Sequence, residues 1–144
     1  MIKKFESFFE KDEDRDCKVI LEYVAEDLIK NRPKEDFSKR EFDKIESTIS
    51  NMRIGRRKLS DEFNKVFYID QDVKDKSKVY IELEDFRESV VFITIHKIID
   101  EYFIVDFYIS YRGNFIKEYL ICDQIEGLES FMRYFKETIH RNFF

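Results

Sequence analysis

The chain has 144 residues, with 26 Lys plus Arg against 31 Asp plus Glu, a formal net charge of -5, and 17% aromatic residues. A chain of this length buries roughly two thirds of its unfolded surface and needs neither metal nor disulfide to hold a core, and its aromatic content argues against disorder. Its most apolar run, Val90 to Ile95, falls far short of the ~20 residues of a membrane span, and Glu6 and Glu10 interrupt the amino terminus before any signal-like apolar stretch of ~7 residues, so no membrane partner and a cytoplasmic location are expected.

Taken in chain order, Ile2, Phe5, Phe8 and Phe9 fall on one side of a short helix, followed by a charged break from Lys11 to Asp16. Cys17, Ile20, Leu21, Val24 and Leu28 then follow a helical stripe that stops near residue 31, just before Pro33. Ser38 with Glu41 is a capping box, Phe37 and Phe42 are placed as a hydrophobic staple, and Phe42, Ile45, Ile49 and Met52 extend the stripe. This predicts a helix over 38–54, with Gly55 as its left-handed stop.

From Phe63 the period changes to alternation, with β-branched and aromatic residues prominent. Strands are predicted over 63–69, 78–84, 89–99, 102–111 and 115–122, and their short polar connections favour an antiparallel meander. A three-residue loop over 100–102 sets Ile99 opposite Phe103 and Ile95 opposite Phe107. A second three-residue turn, Arg112-Gly113-Asn114, sets Tyr111 opposite Phe115 and Phe107 opposite Tyr119. Asp123 then caps a last helix carrying Ile125, Leu128, Met132, Phe135 and Ile139. The expectation is a single α+β domain: a helical part over 1–62 with three helices, a five-stranded antiparallel sheet over 63–122, and a carboxy-terminal helix over 123–140. The helices cover one face of the sheet.

Three constellations carry chemistry. The inferred register sets His96 opposite Asp106 and Tyr108 opposite Glu118, a group that general acid and base work would need in a metal-independent nuclease or phosphodiesterase. A cross-strand ion pair on a half-exposed face explains the same residues without catalysis. Arg53, Arg56, Arg57 and Lys58 form the concentrated basic patch; at a helix end they suit the dipole, and arginine forks also match carboxylates and phosphates. Glu82, Glu84, Asp85 and Glu88 lack the ligand spacing of a calcium loop and read as a solvated edge, so no metal is assigned.

The three glycines, Gly55, Gly113 and Gly127, are isolated, so no phosphate-cradling loop and no cofactor is expected. Cys17 and Cys122 have no ligand spacing and are expected to be free thiols. The low Gly and Pro content suits an AT-rich genome such as that of a phage or low-GC bacterium. With 16 Phe and 8 Tyr, aromatic side chains exceed what one core needs, which points to surface contacts. The expected function is non-enzymatic binding of another protein, as an inhibitor, immunity protein or phage-type accessory factor, with the basic patch as the contact. Nucleic-acid binding through that patch is the alternative, and a homo-oligomer is compatible with the composition.

Overall fold

The computed structural model describes residues 17–54, 56–58, 61, 66–71, 74–84, 90–99, 102–111, 113–123 and 127–143. The helix expected around Phe5, the stop at Gly55, and Asp85 and Glu88 of the acidic edge lie outside these residues. The described elements are β1 (Cys17–Ile20), α1 (Glu22–Asn31), α2 (Lys39–Ser50), β2 (Arg53–Ile54), β3 (Arg57–Lys58), β4 (Val66–Gln71), β5 (Lys78–Glu84), β6 (Val90–Lys97), β7 (Tyr102–Tyr111), β8 (Asn114–Asp123) and α3 (Gly127–Phe143). The α+β plan holds, with an open six-stranded antiparallel sheet in the order β1-β8-β7-β6-β5-β4 and a separate β2–β3 hairpin. β4 to β8 form the expected meander.

The sixth strand is a correction. Residues 17–20, expected to be helical, are extended and pair with β8, Cys17 opposite Cys122 and Ile20 opposite Tyr119. Pairing satisfies backbone groups of β8 that would otherwise form an open edge, and it sends Cys17 and Ile20 to opposite faces, where each meets an apolar cluster. The helical stripe begins only after Leu21. The cysteines are likewise not free thiols: Cys17 and Cys122 form a disulfide across this ladder, with Cα atoms 4.2 Å apart.

α2 carries the capping box that the sequence predicts, with Glu41 N–H donating to Ser38 Oγ at 3.1 Å and Ser38 N–H donating to Glu41 Oε1 at 2.9 Å. It ends at Ser50, four residues earlier than expected, because the chain turns into the β2–β3 hairpin. Glu41 does a second task on the sheet: Lys97, 6% exposed, places Nζ 2.7 Å from its carboxylate. Phe37, just ahead of the cap, stacks on Phe103 of β7 at 5.6 Å rather than serving only its own helix. The start of α2 is thus fixed by contacts to two strands.

Alternation assigns the two sheet faces. Val79, Ile81, Leu83, Val91, Ile93, Ile95, Phe103, Val105, Phe107, Ile109, Leu120 and Cys122 look toward α2 and α3, whose Ile45, Ile49, Phe131, Met132 and Phe135 complete the main core. Phe107 lies at its centre, meeting Phe131, Tyr134 and Phe135 at 5.8–6.0 Å in edge-to-face geometry. Helices do not keep to that face, contrary to expectation. α1 lies on the other one, where Ala25, Leu28 and Ile29 pack with Ile98, Tyr102, Ile104, Tyr119 and Ile121. α1 covers only one end.

Two turns differ from the expected register. Ile98 N–H donates to Tyr102 O at 2.9 Å, so the β6–β7 loop is 99–101 rather than 100–102. Moving the loop by one residue displaces every pair by two, and Ile95 faces Val105 instead of Phe107. The faces survive because the side-chain period is two. Burial of Tyr102 under α1 explains the choice, since it must stay in the strand to reach that cluster.

The β7–β8 turn is two residues, with Tyr111 opposite Asn114 and Gly113 at φ 88°. That one-residue shift inverts β8. Phe115 and Lys117 go to the α1 side, and Glu118 goes to the α2/α3 side. The last helix starts at Gly127, since Asp123 remains in β8. Among the described residues, no helix is long and apolar enough to cross a membrane.

Candidate functional site

The predicted acid–base group does not assemble. His96 stands opposite Lys78 and Ile104, while Asp106 stands opposite Thr94 and Tyr119, one residue pair further along the same face. His96 is 8% exposed and its Nδ1 has no hydrogen-bond partner among the described residues. Burial, then the charge of Lys78, lowers its pKa to about 4 against the partial help of Asp75, so the imidazole is neutral at pH 7. Asp106 shifts the other way, its pKa raised by burial.

Glu118 is on the opposite face, where it accepts a hydrogen bond from Tyr134 of α3. Burial and this carboxylate push the Tyr134 hydroxyl up to about 12. Tyr108 stands opposite Phe92 and Lys117, not Glu118.

The basic patch is a hairpin rather than a helix end. Arg53 pairs with Lys58 and Ile54 with Arg57. Arg53 Nη1 donates to Arg56 O at 3.3 Å, and Arg53, Arg56 and Lys58 are exposed. Three exposed cations displayed on this hairpin can meet an anionic surface. Between α2 and α3, a hollow of ≈ 20 Å³ is lined by Lys44, Ile45, Thr48, Glu129 and Met132, with Lys44 and Glu129 paired at 3.2 Å. That is water-sized, far below a small-molecule pocket of ~300 Å³. Among the described residues, no three His, Cys, Asp or Glu side chains are placed to hold a metal ion.

The most developed surface is the part of the second sheet face that α1 leaves uncovered. Side chains there lie in rows across the sheet, and the rows change character along the strands. The row His96, Ile104, Ile121 is buried, with Ile104 and Ile121 packed against α1. The next, Tyr80, Thr94, Asp106, Tyr119, is transitional. Beyond it, Glu82, Phe92, Tyr108 and Lys117 stand side by side, and Phe115 begins the row after.

Phe115 is 69% exposed, Phe92 45% and Tyr80 36%. The rings are ordered against one another, with Phe92 to Tyr108 at 6.3 Å and Tyr108 to Phe115 at 6.4 Å. Singly exposed apolar residues are ordinary on protein surfaces, whereas three touching rings with a fourth beside them make a contiguous patch.

The charge around this patch is acidic. Glu82 and Glu84 lie on β5, Asp106 on β7, and Glu22 and Glu26 on α1 bear on the same region. Lys117 answers part of that charge: its Nζ lies 3.7 Å from Glu22 and 5.9 Å from the Tyr119 ring centre. Tyr119 registers the environment as well, pushed up to about 12 first by burial and then by Asp106, Glu22 and Glu26.

Sequence reasoning missed this site because the three-residue turn over 112–114 placed Phe115 on the core face. Phe92 and Tyr108 were readable on that face, since Phe92 alternates with Val91 and Ile93, and Tyr108 with Phe107 and Ile109. Comparison of the chain with protein-family models, with curated proteins and with solved structures finds no match.

Proposed function

We propose that this chain is a non-enzymatic protein-binding module that acts by occupying a macromolecular partner, in the manner of an inhibitor, immunity protein or accessory factor. The observation that carries the reading is the run of adjoining rings Phe92, Tyr108 and Phe115 on the open end of the sheet, of which Phe92 and Phe115 are exposed. Aromatic side chains set on strands lose little further freedom when covered, so they anchor interfaces efficiently. The contact surface first expected from sequence, Arg53 to Lys58, is a separate hairpin; it is a second candidate for the same task.

Capture of the tagged protein from the cells that encode it, with nuclease present, tests this. A stoichiometric protein should be retained by the wild type and lost on Phe92→Ala with Phe115→Ala, while the circular dichroism of the variant stays native. Retention undiminished by that change would defeat the role of the open face. The exposed Arg53 and Lys58 pair favours nucleic-acid binding as a second reading. That reading requires affinity that falls steeply with salt and with Arg53→Ala.

A further inference from the structure

We infer that the open sheet face is a receptor for arginine side chains of a protein partner, with the guanidinium lying on the Phe92 and Tyr108 rings between the carboxylates of Glu82 and Asp106. This rests on the protein-binding reading and specifies what that surface takes. The placement follows from register. Glu82 and Tyr108 are the direct cross-strand neighbours of Phe92 on its two sides, and Asp106 and Glu84 are diagonal neighbours on the same face. Direct neighbours lie about 5 Å apart and diagonal ones about 7–8 Å. A planar cation over Phe92 therefore has a ring on one side and carboxylates within side-chain reach on two others.

The face already holds one cation by this combination. Lys117, in the same row as Phe92, sits between a carboxylate, Glu22 of α1, and a ring, Tyr119 of the next row. The neighbouring position repeats ring and carboxylate, with Phe92 and Tyr108 for Tyr119 and with Glu82 and Asp106 for Glu22. The guanidinium suits it better than an ammonium does. It is flat, more weakly hydrated, stacks on ring faces, and its fork of donors can meet two carboxylates at once. The raised pKa of Asp106 means that an arriving cation improves an ionised carboxylate held in unfavourable surroundings. Sheet faces bearing exposed rings also bind single-stranded nucleic acid, but there cations accompany the rings. Here the one cation in the row, Lys117, is already set against Glu22, and the carboxylates Glu82, Glu84 and Asp106 would repel phosphates, so the charge favours a basic protein segment.

The probe is an acetylated, amidated peptide of alternating Arg and Gly, compared with a matched peptide carrying citrulline in place of Arg. Citrulline keeps the shape and removes the charge. Isothermal titration calorimetry should show binding of the arginine peptide that weakens about 10-fold or more on Glu82→Gln with Asp106→Asn, and likewise on Phe92→Ala, with the citrulline peptide bound at least about 10-fold more weakly. Saturation should also lower the Asp106 carboxyl pKa measured by NMR. Equal binding of the two peptides, preference for a uridine oligonucleotide, or a dimerisation that Phe92→Ala abolishes would overturn the inference. If the native partner is lost on Phe92→Ala with Phe115→Ala but held unchanged by Glu82→Gln with Asp106→Asn, arginine recognition fails and the protein-binding reading stands. Retention of that partner by both variants removes both.

Discussion

The two faces of one sheet have been put to different uses by the same alternating strands. On the α2/α3 side the apolar inward residues of β6, Val91, Ile93 and Ile95, are fully buried, and Phe107 meets its ring neighbours edge to face in a closed core. On the other side the strands carry equally large rings, yet only the end under α1 is covered. α1 is ten residues long and spans about 15 Å, while β7 and β8, at ten residues each, run about 33 Å. A helix of that length crossing the strands covers a band and leaves the rest open. Aromatic content therefore does not tell core from contact surface; what covers the ring does.

Matched substitutions sharpen that contrast. The largest effect belongs to the link that holds β1, and with it the approach of α1, against β8. Reducing the Cys17–Cys122 disulfide, whose partners are 105 residues apart, should lower the free energy of unfolding by about 4–5 kcal/mol on loop-closure grounds. Denaturant titration with and without dithiothreitol measures it, and an unchanged midpoint would show that the ladder alone suffices. Close behind, Phe107→Ala should cost about 3–5 kcal/mol, because three rings lose their central partner. Phe92→Ala on the open face should cost under about 0.5 kcal/mol in the same titration, as for other surface changes. Equal costs would mean that the open face is covered in solution.

A pH series probes the boundary between the closed and open ends. The folded pKa of His96, about 4, lies below the 6.5 of an unperturbed imidazole. The unfolded chain therefore binds the proton first, so stability is whole above about pH 6.5 and is lost as pH falls toward 4. The loss attributable to this residue is about 3 kcal/mol, and it should vanish in His96→Leu. Lys78 and Lys34 oppose the proton and Asp75 favours it, so Asp75→Asn should steepen the loss. A variant with the same acid profile as the wild type would show that His96 is solvated. Ser38→Ala at the start of α2 should cost about 1 kcal/mol by loss of one cap bond, read in the same denaturant titration.

The residues most legible in the sequence were those whose determinants sit close together. Ser38 and Glu41 announce their cap across three positions, and alternation from Val79 to Ile109 sorts the core face of β5, β6 and β7 correctly even where the pairing is displaced by two. What could not be read was set by one residue or by distance. Whether the turn near Gly113 takes two residues or three decides the face of all of β8, and both lengths fit a residue tolerant of positive φ. That single choice moved Phe115 into the open site and Glu118 away from His96. β1 looks helical on its own, because Cys17 and Ile20 fit a helical spacing as well as a strand with two buried sides. Only β8, a hundred residues on, settles the matter. The basic patch was legible as charge but not as a hairpin, since Arg53 pairs with Lys58 and Arg57 with Ile54 while Arg56 lies in the turn between them.

The partnership of β1 with β8 also orders events during synthesis. Residues 17–31 leave the ribosome early, but the strand that β1 pairs with is 114–123. At roughly 5–20 residues per second, the first strand and helix wait about 5–20 seconds for their partner. Throughout that interval the apolar side of α1, with Ala25, Leu28 and Ile29, has no sheet to rest on. The nascent chain thus carries an uncovered helix until β8 has been made, and this long-range closure, rather than any local element, is the step expected to set its folding rate.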